Sequence, residues 1–308
     1  MNLWIRRSLI IVLSLLLFTL TACQPSTNHS VGHPIRVTAT TGMIADIVKH
    51  VGGKHVQVTS LMGPGVDPHL FKASQGDIQK LNDADLIFYN GLHLEGKMGD
   101  ILGKIGKTKS VVAVTDQIPK EKLLIAEKNQ TDPHVWFDVR LWMDATKRVE
   151  HTLSKIDPKH QQDYKRQTEL YMTELKELHD YSREQIATIP KQQRVLVTAH
   201  DAFGYFGRAY DIEVVGLQGI NTNSEYGVAD VSKLVDLLTS RKIKAVFVES
   251  SVPKRSIEAV VQGARQRGHE VEIGGELFSD AMGKEGTPSG TYIGMVRHNV
   301  DVITGALK

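Results

Sequence analysis

The feature that most constrains this chain is an alternation of strand and helix signals, arranged in two series around one long amphipathic run. From residue 35 onward, β-rich runs at 35–41, 56–62, 85–90 and 110–115 alternate with helical spacings such as 43–51. A second series places strands at 194–199, 213–217, 244–249 and 270–274, with helices over 228–239 and 255–267. Strands separated by helices of this kind pair in parallel and are covered on both faces, because each crossover needs a helix-length connection. Between the series, Asp157-Pro158 offers a cap followed by proline at the first helical position. Helical spacing then continues to Ile189, just before Pro190, which predicts about 48 Å of helix. Tyr164, Tyr171, Leu175, Leu178, Ile186 and Ile189 share one face of it. The expected fold class is α/β: two lobes with parallel sheets, residues 35–156 and 190–308, joined by a spanning helix over 157–189.

Composition narrows the function. The chain has 308 residues, enough for two cores, and 41% hydrophobic with 23% charged residues is a globular balance. One cysteine excludes an internal disulfide framework and any CxxC metal or redox motif. The net charge of +2 gives no basic stripe for nucleic acid, so no nucleic-acid partner is expected. That excess is Arg6 and Arg7; without them 35 bases balance 35 acids. Residues 1–22 carry these two bases and no acid, and their apolar stretch, 9–20, falls short of the roughly 20 residues a membrane span needs. They read as an export signal, an uncleaved anchor being the alternative. Leu20-Thr21-Ala22-Cys23 resembles the lipobox of bacterial lipoproteins, with the only cysteine at the lipidated position. Residues 1–22 are thus expected to be a lipoprotein signal peptide, and 23–34 a lipidated N-terminus with a polar tether.

Thirteen histidines raise the question of metal. His29 and His33 lie in the tether; His151, His160 and His179 fall on polar helical stretches and are expected to be solvated. His50, His55, His93, His269 and His298 sit in uninformative contexts. Three others differ. His69 lies in GPGVDPHLF, His134 in DPHVWFD and His200 in VTAHDAFGYF. His69 and His200 follow predicted strands, and Asp280, in GGELFSDAMG, follows the last one. Loops at the carboxyl ends of parallel strands converge and commonly form ligand sites. The proline of each Asp-Pro-His fixes φ and favours a rigid turn. Imidazole and carboxylate suit a divalent transition metal; on the residues alone, a purely structural role is equally open.

The segments GPGVDPHL, DPHVWFD, TAHDAFGYF and GGELFSDAMG, with VFVESSV and TYIGMVRHN, resemble those of the cluster A-I solute-binding lipoproteins, which serve ABC importers of manganese and zinc. The likeness runs from the lipobox through essentially the whole chain, and is greatest to the manganese-binding lipoproteins of Bacillus-type bacteria. It implies His69 and His134 from the first lobe and His200 and Asp280 from the second as metal ligands, separated by 65, 66 and 80 residues. It also implies two α/β lobes on a helical backbone, with the metal between them. The partners it implies are a permease with its cytoplasmic ATPase, and the outer face of the cytoplasmic membrane through the lipid. The protein is expected to be a monomer and not an enzyme.

Mn²⁺ is the transported ligand the resemblance favours, with Zn²⁺ or a broad Mn/Zn/Fe range as the alternative. Many manganese-binding members carry Glu where this chain has His200, and three imidazoles with one carboxylate suit tetrahedral zinc. Against zinc, residues 120–131 contain no histidine, whereas dedicated zinc carriers have a His-rich loop. A bidentate Asp280 would give Mn²⁺ a fifth contact. More remote readings are a surface adhesin, which no feature demands, and a zinc hydrolase, for which no HExxH or GxSxG motif exists. Asp67 and Asp132 are expected to set turns or orient imidazoles, and Asp201 to cap the helix AFGYFGRAY. Glu249 either points into the cleft or is a strand end of no function.

Overall fold

The structure, a computed structural model, describes residues 34–126 and 129–308. The signal segment, Cys23, His29 and His33 lie outside the described residues.

The first half is a parallel sheet of β1 (Ile35–Ala39), β2 (Val56–Ser60), β3 (Leu86–Tyr89) and β4 (Ser110–Ala113) in the order β2-β1-β3-β4. Its helices are α1 (Gly42–Gly52), α2 (Gln75–Asp83) and α3 (Gly99–Ile105). Val37 pairs with Val58 on one side and Leu86 on the other. Val37, Thr38 and Ala39 are all buried, as in a strand covered on both faces.

Two helices follow, α4 (Val139–Ile156) and α5 (Gln161–Ala187), packed on each other. The expected single helix over 157–189 is therefore a 3₁₀ turn, Pro158–His160, and a 27-residue α-helix about 40 Å long. The turn is tied by Asp157, whose Oδ2 accepts from the Tyr164 hydroxyl at 2.8 Å and lies 2.6 Å from His160 Nδ1. At the other end the Thr188 N–H returns to the Gln185 and Ile186 carbonyls before Pro190. His160 and His179 are not free in solvent as expected. His160 stacks on His55 with ring centres 3.9 Å apart, and His179 Nδ1 lies 3.3 Å from the Tyr210 hydroxyl. His151 is exposed.

The second half contains β5 (Val195–His200), α6 (Gly204–Tyr210), β6 (Glu213–Gln218), α7 (Val228–Arg241), β7 (Ala245–Glu249), α8 (Arg255–Gln266), β8 (Glu272–Leu277) and α9 (Tyr292–Leu307). β5 pairs in parallel with β6, and β7 with β8, while β5 lies beside β7. Every residue of β5 and β7 is buried. β8 runs three residues further than its sequence signal.

One apolar core joins the halves. It includes Val37 and Phe88 from the first sheet, Trp136, Trp142 and Leu175 from the middle, and Phe203, Phe247, Leu277 and Tyr292 from the second half. A side chain of this size contributes about 1.5–3 kcal/mol on full burial, so the halves are bonded by packing as well as by chain. Smaller cores belong to one half each: Ile87, Leu81 and Leu102 in the first, Val197, Val246 and Val260 in the second. The buried face of α5, from Tyr164 to Ile186, spans the junction. Tyr171 donates to Asp46 of α1 at 2.9 Å, and Tyr181 donates to Asp301 of α9.

Candidate metal centre

The four residues expected from the sequence meet at one point. His69, His134, His200 and Asp280 each present a ligating atom within 4.8 Å of the others, and all four are buried. Each arrives by a different local device.

Leu61 and Met62 extend the ladder of β2 by donating to the Ala39 and Thr40 carbonyls, at 2.9 and 3.0 Å. The chain then turns through Asp67-Pro68-His69, where Asp67 Oδ1 accepts from the His69 N–H at 2.8 Å and the Leu70 N–H at 3.4 Å. In Asp132-Pro133-His134 the same turn recurs, with Asp132 Oδ1 accepting from the His134 N–H at 2.9 Å. The same oxygen also lies 2.7 Å from His134 Nδ1. This second turn is gripped by the far half: Trp136 Nε1 donates to the Ser279 carbonyl at 3.1 Å, the Tyr292 hydroxyl to the Trp136 carbonyl at 2.6 Å, and the Tyr205 hydroxyl to the Asp132 carbonyl at 2.9 Å. Gly204 permits this closeness, since a Cβ there would stand 3.0 Å from Asp132 Oδ2.

His200 is the last residue of β5. Its N–H donates to Glu249 Oε1 at 2.8 Å, and its Nδ1 lies 2.5 Å from Glu249 Oε2. Asp280 sits three residues beyond β8, on a segment held by Asn299, which accepts from the Phe278 N–H at 2.9 Å and donates to the Phe278 carbonyl at 2.7 Å.

The ligating atoms are spaced for an ion. His69 Nε2 and His134 Nε2 are 3.2 Å apart, His134 Nε2 and Asp280 Oδ1 3.4 Å, His200 Nε2 and Asp280 Oδ2 3.3 Å, and His69 Nε2 and Asp280 Oδ2 3.8 Å. Tetrahedral ligands at about 2.0–2.1 Å from a metal stand roughly 3.4 Å from each other. Both Asp280 oxygens, buried and without a hydrogen bond, face imidazole nitrogens.

The three imidazoles differ electrically. Burial drives His69 down to about 3, the pull of Asp280 notwithstanding. Burial also opposes charge on His134, but Asp132 and Asp280 outweigh it and lift the imidazole to about 9. For His200 burial is again overcome, by Glu249 and Asp280, and the imidazole is held well above its ordinary range. Burial favours the neutral form of Asp280, yet the surrounding imidazoles hold it well below the usual carboxylate range. His69 thus offers a free lone pair, while His134 and His200 hold protons that an incoming cation must displace.

Of the neighbouring carboxylates, Glu249 faces the site at 1% exposure, and its role behind His200 was not legible in the sequence. The available signal was its position at the end of β7, the strand that lies beside β5. Asp201 is not the cap of α6: that helix begins at Gly204 after Phe203, with no side-chain cap. The chain spends Ala202 and Phe203 turning out of β5, and the Ala202 N–H returns to the His200 carbonyl at 3.1 Å.

Residues 37–306 match the family described as zinc-uptake complex component A, periplasmic (ZnuA). The chain is 56% identical over 293 residues to the manganese-binding lipoprotein MntA of Bacillus subtilis, covering 94% of this chain and 96% of that protein. It is 50% identical over 276 residues to the zinc-binding protein TroA of Treponema pallidum, covering 90% and 89%. The solved structure of the periplasmic zinc-binding TroA superposes with a TM-score of 0.87 at 49% identity, over 90% of this chain and 99% of that one. At 31% identity, over 98% of both chains, it also matches the iron ABC transporter substrate-binding lipoprotein MtsA of Streptococcus pyogenes. These are metal-binding transport components, not enzymes. With the family matched over nearly the whole folded body and two relatives at half identity or more, this chain is a member of the ZnuA, or cluster A-I, family of metal-binding solute-binding proteins.

Proposed function

We propose that this protein is the extracytoplasmic solute-binding lipoprotein of an ABC importer, and that it binds Mn²⁺ through His69, His134, His200 and Asp280 and delivers it to the permease. The observation that carries this reading is the buried cluster itself: four ligating atoms within 4.8 Å, drawn from both halves of the chain. Manganese is supported by the 56% likeness to a manganese-binding lipoprotein. Asp280 adds support, since it turns both oxygens toward the ligand set and can offer a larger ion a fifth contact. Zinc is the second reading, favoured by the three-imidazole donor set and the 50% likeness to a zinc-binding protein. Residues 1–22 act as the signal, Cys23 carries the lipid, residues 23–34 form the tether and the folded body works as a monomer on the outer face of the cytoplasmic membrane.

Titration of metal-free protein with Mn²⁺ and Zn²⁺, alone and in competition, tests the reading. One ion per chain is expected, with zinc tighter in isolation as ligand chemistry dictates, and Mn²⁺ binding lost in His69→Ala with the fold retained. In cells, deletion is expected to lower manganese uptake. A folded protein that ignores Mn²⁺, or a deletion that lowers zinc uptake alone, would overturn manganese as cargo. Fatty-acid labelling lost in Cys23→Ala checks the anchor.

A further inference from the structure

The four clustered residues are buried, their side chains at most 1% exposed, so a cation needs a path to them. A cavity of about 440 Å³ reaches His69 and Pro133, the residue before His134. Its wall also includes His93, Gln130, Thr131 and Asn221, which come from both halves of the chain. At roughly 30 Å³ per water it has room for a hydrated ion. Among the described residues no carboxylate lines it, and of these the imidazoles of His93 and His69 are its strongest cation donors.

His93 is held there at a cost. Gly91, Leu92 and His93 have φ of 86°, 53° and 65° in succession. Left-handed backbone is routine for glycine and unfavourable for leucine and histidine. Such strain persists where the surroundings over-determine it and concentrates at functional sites. The surroundings here are explicit. The buried Glu95 carboxylate accepts from the Asn90 N–H at 2.6 Å, the Thr40 hydroxyl at 2.7 Å and the Gly91 N–H at 3.2 Å. Asn90 Nδ2 in turn donates to the Pro133 carbonyl at 3.0 Å, fastening the strained turn to the His134 loop. The His93 side chain is exposed and has no hydrogen-bond partner among the described residues, so its nitrogens are available.

We propose that His93 is a transient ligand on the access path, binding the divalent cation in the cavity while it sheds water and before it passes to His69. This rests on the reading of His69, His134, His200 and Asp280 as the metal centre. A relay residue lowers the barrier in both directions and leaves the end states alone. Stopped-flow association and chelator-driven release of Mn²⁺ and Zn²⁺ therefore test it. In His93→Gly, a change the backbone accepts without strain, both rate constants are expected to fall together by about fivefold or more, with Kd within about twofold of wild type. His93→Asp, which restores a ligand, is expected to recover the rates. Unchanged rate constants in folded His93→Gly, or a weakened Kd at unchanged association rate, would overturn the relay while leaving the metal centre intact. A wild-type protein that binds neither ion would overturn the metal centre and the relay together.

Discussion

The triplet Asp-Pro-His occurs twice, at 67–69 and 132–134, and the two copies are alike locally and different globally. In both, the aspartate Oδ1 accepts the histidine N–H, at 2.8 and 2.9 Å. Asp132 Oδ1 also meets the Nδ1 of its own histidine at 2.7 Å, whereas Asp67 turns its Oδ2 to the Thr222 hydroxyl at 2.6 Å. His69 Nδ1 is left buried without a hydrogen bond. His200, outside any such triplet, resembles the second copy, because Glu249 stands behind its Nδ1. The centre therefore has two imidazoles clamped by carboxylates and one, beside the access cavity, held by its backbone alone. The difference assigns different work to the same motif: the second copy orients an imidazole ring, the first ties its loop across to the other half.

The largest expected effect removes what the imidazoles share. Asp280→Ala deletes the carboxylate that faces all three imidazoles, and Mn²⁺ affinity should fall by more than the roughly 10–100-fold typical of losing an outer hydrogen-bond partner. Isothermal titration measures it; a variant binding within tenfold of wild type would remove Asp280 from the centre.

Next come the clamps. Asp132→Asn and Glu249→Gln should each weaken Mn²⁺ binding by about 10–100-fold, and Asp67→Asn by distinctly less. Equal losses in all three would erase the contrast between the triplet copies.

Proton release sharpens it further. His134, raised to about 9, and His200, held well above its ordinary range, are protonated at pH 7 in the metal-free protein, while His69, lowered to about 3, is not. Binding should thus expel about two protons per ion, and affinity should weaken as pH falls, because protons compete for His134 and His200. Calorimetry in buffers of different ionisation enthalpy counts them; zero protons released at pH 7 would contradict the clamped state.

The smallest effect belongs to the cross-tie. Thr222→Val removes one hydrogen bond, worth about 0.5–1.5 kcal/mol, and should speed metal release a few-fold with little change in melting temperature. Release slower than wild type would show that the tie does not hold the His69 loop.

Much of this protein was legible before its structure. The eight strands among the described residues, and helices α1, α6, α7 and α8, followed from hydrophobic periodicity, because a parallel sheet with helices on both faces leaves that pattern in the chain. Tyr164, Tyr171, Leu175, Leu178, Ile186 and Ile189 were readable as one face, and all six are buried. Helix α4, with Val139, Trp142, Val149 and Leu153 buried, was harder to see as part of the backbone, since it packs against α5 and only the fold reveals that partner. The cap assigned to Asp201 failed because its choice depended on where the chain leaves β5, which tertiary contacts decide.

For the candidate site the division is sharper. The sequence by itself determined the residue types of the candidate site and the two Asp-Pro-His turns, because an aspartate closing on the N–H two residues ahead is a local event that needs only those residues and proline's fixed φ. Only the tertiary structure decided which carboxylate stands behind which imidazole. Glu249 reaches His200 across 49 residues, and Thr222 reaches Asp67 across 155. Such pairings are made by sheet order and by the packing of two halves on a common core, and neither is encoded in any stretch of neighbouring residues.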